Sequence, residues 1–240
     1  MANTHSIGFL DADNSYLSRA DHANYELTGT NDRTYEAWVK INTLKSGGGL
    51  FVRWSNEGGS NKNFLCRMET GGVVKAWVGS GSSTGASVAG TTDIDDGDWH
   101  HVAITWSGST DDKIRIYIDG TLDATMSGTG APTAASTSLV IGGKSGLSGE
   151  DSDIEMDDVR IWDTQRSVSE IDDNKDAELA GTESGLLDYW KLNNDLTNSV
   201  SGGGSGSLTN NNSATFSTDI PDWGGSPPAA TAFSQAVVIM

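Results

Sequence analysis

The alternation of apolar and polar residues is clearest between residues 99 and 119, where it predicts two paired β-strands. The arms span 99–106 and 113–119, separated by a polar loop. One face of both arms carries the apolar residues Val102, Ile104, Trp106, Ile114, Ile116 and Ile118. A period of two, rich in β-branched residues, is typical of half-buried strands. Asp119-Gly120 then predicts a tight turn into the next strand, because glycine tolerates positive φ.

The same pattern recurs along most of the chain and predicts an all-β protein. Further strands are predicted at 7–10, 16–19, 33–41, 50–54, 64–69, 73–78, 121–126, 138–141, 154–162 and 185–192, with a short candidate at 207–209. Residues 79–85 are predicted to form a loop, and 87–92 lead from it into the hairpin. One helix is predicted, because Ser167 and Glu170 have the spacing of a capping box. We expect this helix to end near Leu179.

Several of these segments resemble the laminin-G-like branch of the concanavalin-A-type jelly rolls, and they occur in the order that this family shows. They are F-L-D-A-D-N-S-Y-L (9–17), T-Y-E-A-W-V-K (34–40), D-G-D-W-H-H-V-A-I-T (96–105), K-I-R-I-Y-I-D-G-T-L (113–122), L-V-I-G-G (139–143) and M-D-D-V-R-I-W-D (156–163). The resemblance covers roughly residues 6–190 and implies an antiparallel jelly-roll sandwich of two sheets. It says less about function, because one sandwich hosts lectins, adhesion modules and enzymes.

The length and the composition of the tail predict one domain followed by an extension. A chain of 240 residues can form one sandwich, which we place at 1–220. Residues 221–240 begin with a linker rich in proline and glycine. They end in an apolar arm whose predicted assembly contacts are Ala236, Val237, Val238, Ile239 and Met240. Such an arm is expected to dock on its own sandwich or on a neighbouring chain.

The charge of the chain argues against several partners. Its 33 acidic and 15 basic residues give a formal net charge of −18, which disfavours nucleic acids and anionic membranes. An acidic surface could bind cations or could simply be solvated. No signal peptide and no apolar segment of membrane-spanning length are visible. The single cysteine, Cys66, excludes an internal disulfide and is expected to be a buried thiol.

The resemblance also implies a possible cofactor, Ca²⁺, near the start of the chain. In such jelly rolls an aspartate of a late D-x-V-x-Y/W strand joins backbone carbonyls around the ion, and Asp158 matches that aspartate. Carbonyls near 6–8 and 27–29 are the expected partners, with Asp157 and Asp13 as additional ligands, since calcium prefers oxygen donors. The alternative is that Asp158 caps a turn or pairs with Arg160.

An enzyme of the same fold is a second interpretation. Glucanases of this superfamily carry Glu-x-Asp-x-(x)-Glu on one strand, so that the carboxylates share a face. Here Asp153, Glu155 and Asp157 share a face, but their order is Asp-Glu-Asp. They also lie on a strand that resembles a non-catalytic strand of the laminin-G-like branch. We therefore expect no catalytic activity, with β-glucan hydrolysis as the alternative.

Carbohydrate binding is the third interpretation, because aromatic rings lie among charged residues on the polar sides of several strands. Sugars stack on such rings while polar side chains bind the hydroxyls. The candidate ligand-binding residues are Trp77, Tyr117, Arg115, Trp38 and Trp162. Trp77 and Tyr117 are the preferred candidates. The alternative is that the helix, a loop or the tail covers these rings, above all Trp38 and Trp162.

Together these observations predict a non-catalytic recognition module that attaches to a larger assembly. The acidic surface, the apolar arm and the lack of a visible signal peptide favour a virion exterior protein, such as a capsid decoration, tail or fibre component. Its expected partners are other protein chains of that assembly and a glycan, and its expected location is a virion surface or the extracellular space. A free lectin or adhesion module is the alternative.

Overall fold

The computed structural model describes residues 3–45, 48–54, 61–81, 83–108, 113–127, 130–143, 153–202 and 204–223. These residues form two antiparallel sheets packed face to face, which confirms the predicted fold class. The strands are β1 Ser6–Phe9, β2 Tyr16–Arg19, β3 Asp32–Thr43, β4 Gly49–Trp54, β5 Lys62–Glu69, β6 Val73–Gly81, β7 Ser83–Ala89, β8 Trp99–Ser107, β9 Lys113–Ile118, β10 Thr121–Met126, β11 Leu139–Gly143, β12 Asp153–Trp162, β13 Leu186–Trp190, β14 Thr209–Asn211 and β15 Thr215–Ser217.

The chain crosses between the two sheets repeatedly. The first sheet has the order β10-β9-β8-β3-β12-β1-β15, and β13 also pairs with β12. The second sheet has the order β14-β2-β11-β4-β5-β6-β7. The hairpin β8–β9 is the one that the alternation of residues 99–119 predicted, and its in-register pairs include Ile104 with Ile116.

The apolar faces of both sheets meet in one core. In β3 the residues Tyr35, Ala37, Val39 and Ile41 are buried there, as their alternation implies. Phe51 and Cys66 come from the second sheet, and burial raises the pKa of the Cys66 thiol. Cys66 is thus the buried thiol that its sequence context predicted.

One α-helix, α1 (Val168–Lys175), follows β12. The predicted capping box is present: Ser167 Oγ accepts from the Glu170 amide at 3.3 Å, and the Ser167 amide donates to Glu170 Oε2 at 2.8 Å. The helix ends four residues before the expected Leu179, because the backbone after Lys175 binds side chains of the first sheet. The carbonyl of Ala177 accepts from Arg160 Nη2 at 2.6 Å. No helix in the described residues is long and apolar enough to cross a membrane.

The last strands differ most from the prediction. β14 starts at Thr209 rather than two residues earlier, and the sequence pattern did not predict β15. β14 pairs with β2 of the second sheet, whereas β15 pairs with β1 of the first. The chain from 215 onward therefore runs along the first sheet.

Candidate functional site

The helix covers the outer face of the first sheet, where three of the predicted aromatic residues lie. Ile171 of α1 packs on Ala103 and Tyr117. Trp38 Nε1 donates to the carbonyl of Lys175 at 2.8 Å. Tyr117 is 5 % exposed and Trp38 6 % exposed, so neither presents a ring face to solvent.

Trp162 lies under the segment that follows the helix. It is 3 % exposed and packs with Leu179, Leu186 and Tyr189, while the guanidinium of Arg166 lies 3.8 Å from the centre of its ring. Trp162 Nε1 also donates to Glu36 Oε1 at 2.9 Å. These contacts bury the Trp162 ring, so it presents no face to solvent.

A buried polar layer joins the first sheet to the helix. Asp158 forms an ion pair with Arg160 and accepts from Tyr189 Oη at 2.5 Å. Arg160 also lies 3.6 Å from Glu36 and donates to the carbonyl of Asn174 at 2.9 Å. Burial raises the pKa of Asp158, and the Arg160 cation opposes that rise. The pairing is the alternative role that the sequence left open for Asp158.

The backbone at Asp158 explains how a carboxylate reaches this layer. On β12, Asp158 and Val159 lie opposite the single residue Ala37 of β3, which makes a β-bulge. Asp158 adopts a φ of 55°, a left-handed conformation that re-aims its side chain. The sequence pattern predicted an uninterrupted strand there, and a bulge leaves no clear signature in alternation.

The other two carboxylates predicted as calcium ligands, Asp157 and Asp13, lie in different surroundings. Asp157 is fully buried and accepts from Asn3 Nδ2 at 2.5 Å, and burial raises its pKa to about 8. Asp13 lies in an exposed 3-10 turn spanning Asp11–Asp13. No group of three or more His, Cys, Asp or Glu side chains in the described ranges could hold a metal ion. The backbone carbonyls near 6–8 and 27–29 are not part of that side-chain test, and Ca²⁺ binding stays a sequence-based prediction.

The three carboxylates considered for hydrolysis each have a structural partner. Asp153 accepts from the amide of Asp11 at 2.8 Å, and Glu155 accepts from Ser6 Oγ at 3.0 Å. The third, Asp157, is buried beneath Asn3 as described above. These contacts give each carboxylate a structural role in the fold.

The outer face of the second sheet carries a different surface, a row of apolar residues across four adjacent strands. In-register pairing joins Val140 of β11 to Val52 of β4, Val52 to Leu65 of β5, and Leu65 to Trp77 of β6. Residues in register lie on the same face, and their neighbours Phe51, Cys66 and Ala76 point into the core. Trp54 joins the cluster. We call these five residues, Val52, Trp54, Leu65, Trp77 and Val140, the tryptophan row.

Cations flank the tryptophan row. Lys75 Nζ lies 4.5 Å and the Arg67 guanidinium 4.8 Å from the centre of the Trp77 ring, and Lys62 Nζ lies 5.8 Å from that of Trp54. Within the tryptophan row, Trp77 and Val140 remain partly exposed, whereas Val52, Leu65 and Trp54 are 1 %, 4 % and 7 % exposed. An aromatic surface bordered by hydrogen-bond donors can stack on a sugar ring and bind its hydroxyl or acidic groups.

The structure separates the predicted ligand-binding residues between the two sheets. Trp77 lies on the second sheet, whereas Arg115, half-buried on β9, belongs to the first. Sequence reasoning missed Trp54, Leu65 and Arg67 as neighbours of Trp77. The near-continuous apolar run of β4 was the available signal. A strand that is apolar on both faces is expected to be covered on both, so its outer residues should pack against neighbours such as Trp77.

The predicted assembly contacts Ala236, Val237, Val238, Ile239 and Met240 lie outside the described residues.

A two-sheet antiparallel sandwich with one helix over its first sheet defines a jelly-roll of lectin-like architecture. The family model described as "Concanavalin A-like lectin/glucanases superfamily" matches residues 11–172. The chain therefore belongs to the concanavalin A-like lectin/glucanase superfamily, as the motifs in its sequence indicated. No curated protein matches the sequence.

Solved structures show the same fold at low sequence identity. A Bacteroides ovatus protein that is proposed to bind carbohydrate is similar with a TM-score of 0.69 and 19 % identity, over 92 % of this chain and 62 % of that one. The heptameric SAP-like pentraxin from Limulus polyphemus is similar with a TM-score of 0.53 and 16 % identity, over 87 % of this chain and 96 % of that one. The binding domain of Paraclostridial Mosquitocidal Protein 1 has a TM-score of 0.53 and 13 % identity, over 65 % of this chain and 39 % of that one. The chain thus spans less than two thirds of the first and third of these proteins.

Proposed function

We propose that this protein is a non-catalytic carbohydrate-binding module and that the accessible part of the tryptophan row, above all the Trp77 ring on the second sheet, is its binding surface. The observation that carries the proposal is the partly exposed ring of Trp77 with Lys75 and Arg67 beside it. A flat aromatic ring offers a stacking surface for the apolar face of a sugar. Lys75 supplies donors for hydroxyl or carboxylate oxygens, and Arg67, whose guanidinium is held by Glu69 at 2.8 Å, borders the ring beside it.

Three further points support the proposal. The row is preformed, because strand pairing fixes the spacing of its members, and a preformed surface costs little ordering on binding. The predicted rings on the other sheet, Trp38, Tyr117 and Trp162, are buried under α1 and the segment that follows it, which leaves Trp77 as the most accessible of the predicted rings. The similar Bacteroides ovatus protein is also proposed to bind carbohydrate.

The test is a glycan array followed by titration of the intrinsic tryptophan fluorescence with each glycan that binds. We expect Trp77→Ala to weaken binding about tenfold or more, the loss of roughly one stacked ring. Leu122→Ala is the matched control, because Leu122 is a large apolar residue that is 45 % exposed on the other sheet. Circular dichroism confirms that both variants fold. Glycan binding that Trp77→Ala leaves unchanged would contradict the proposed surface.

We also propose that the apolar arm attaches the module to a larger assembly, as in a virion exterior protein. The support is the sequence of the arm alone, which places five residues of low polarity after a proline-rich linker. The test compares the full chain with a chain ending at 226, by native mass and by incorporation into particles. If both chains are monomers of the same behaviour and neither joins a particle, the module is a free lectin.

A further inference from the structure

A cleft of about 730 Å³ opens on the helix side of the protein, on the opposite sheet from the tryptophan row. One wall is the segment 176–180 after α1, and the other is the segment 220–223. Leu179, Pro221 and Trp223 supply apolar and aromatic lining, while Asn3 and Lys191 supply polar groups. The volume lies within the range of sites for small ligands, and this mixture of lining is typical of them.

The walls of the cleft are held in place by side-chain contacts. Lys191 Nζ forms an ion pair with Glu178 Oε2 at 2.9 Å, which fixes the first wall. Before the second wall, Asp219 accepts from Lys40 Nζ at 2.6 Å and from Trp99 Nε1 at 2.9 Å. The cleft is therefore a built feature of the fold.

Two buried polar atoms of residues that line this cleft have no hydrogen-bond partner in the part of the chain that the structure describes. They are Asn3 Oδ1, an acceptor, and Trp223 Nε1, a donor. Native structures pair nearly all buried polar groups, so an unpaired acceptor and an unpaired donor on two residues of one cleft are groups that a bound ligand would pair. A hydroxyl group complements both atoms, because it donates one hydrogen bond and accepts others.

We propose that this cleft is a second saccharide-binding site, independent of the tryptophan row, which takes one or two sugar units. The indole of Trp223 provides an aromatic wall, and its N–H together with Asn3 Oδ1 binds sugar hydroxyls. The Lys191–Glu178 pair adds a charged donor and a charged acceptor at the rim. Two sites on opposite sheets would make the module bivalent toward a branched or repeating glycan.

The experiment uses the full chain and the indole N–H signals of its eight tryptophans in ¹H–¹⁵N correlation spectra. The signals of Trp223 and Trp77 are assigned from the variants Trp223→Phe and Trp77→Phe. The probes are methyl glycosides of glucose, galactose, mannose and N-acetylglucosamine, with cellobiose and lactose as disaccharides. We expect at least one probe to move the Trp223 signal downfield in a saturable way, because its N–H gains an acceptor.

Matched variants separate this site from the tryptophan row. The Trp223 shift should persist in Trp77→Ala, and Trp223→Ala should weaken that binding about tenfold. If no probe moves the Trp223 signal, or if Trp223→Ala leaves the affinity of such a probe unchanged, the second site is overturned. A response of the Trp77 signal without one of the Trp223 signal would contradict this inference and support the proposed function. A response of the Trp223 signal without one of the Trp77 signal would support this inference and contradict the proposed function.

Discussion

Arg160 is the residue whose replacement tests the buried polar layer most directly. It is fully buried, pairs with Asp158, lies 3.6 Å from Glu36 and donates to two carbonyls after and within α1. Arg160→Met keeps a similar volume but leaves the charge of Asp158 buried without its cation. Breaking a buried ion pair from one side costs about 3–5 kcal/mol. We expect the free energy of unfolding to fall by that amount at about pH 8.

The effect should depend on pH, and the sign follows from Asp158. Burial raises its pKa above the ordinary value, so in the folded protein the carboxyl binds its proton more tightly than in the unfolded chain. The contribution of this group to stability is therefore lost as pH rises from the ordinary pKa of an aspartate to the raised pKa of Asp158, about 6. Without Arg160 the pKa of Asp158 rises further. The cost of Arg160→Met should be smaller at about pH 5 than at about pH 8, because protonation removes the buried charge.

The assay is urea unfolding monitored by tryptophan fluorescence at both pH values. Tyr189→Phe is the control, since it removes one hydroxyl donor to Asp158 and should cost about 1–3 kcal/mol. A cost of Arg160→Met below about 1 kcal/mol, or one that does not change with pH, would refute the reasoning that the Asp158 carboxylate is left buried without a compensating cation.

Two further predictions concern a close contact and a titrating histidine. Gly142 has a φ of 59°, and a Cβ there would overlap the Phe9 ring, so Gly142→Ala should lower the free energy of unfolding by about 2 kcal/mol or more. Gly97→Ala is its control in the same urea assay, because it shares the positive φ with no atom nearby, and equal costs would exclude the contact with Phe9 as the cause. The hydrogen bond to Asp119 raises the pKa of His100 to about 9, so His100 stabilises the fold below its ordinary pKa and loses that effect as pH rises through 9. His100→Gln should therefore lower the melting temperature at about pH 6 and have little effect at about pH 10, and an equal change at both would contradict this reasoning.

The distinction between the aromatic residues shows where sequence reasoning stops. Alternation put Trp38, Trp77 and Tyr117 on the polar sides of their strands, and each does lie on an outer face. Which outer face stays accessible depends on where α1 docks, and that is a contact between residues distant in the chain. Trp38 and Trp77 are therefore alike in sequence pattern and different in exposure.

Asp158 shows a second limit of the same kind. Its D-V-R-I-W context is local, but its role is set by a bulge against β3 and by Tyr189, 31 residues further along the chain. The cleft beside Trp223 likewise joins Asn3 to residues near the other end of the described chain. Neither arrangement has a periodic signature, because neither repeats along a strand or a helix.

The sequence by itself determined most of the strands, their inward faces and the capped start of the helix. These features depend on neighbours within a few residues: a period of two selects the buried face of a strand, and Ser167 with Glu170 satisfies the first helical amides. The tertiary structure alone decided which outer face is covered, where the carboxylates of β12 are paired, and which residues line the cleft. These depend on long-range packing, since burial and charge compensation arise only when separate elements meet.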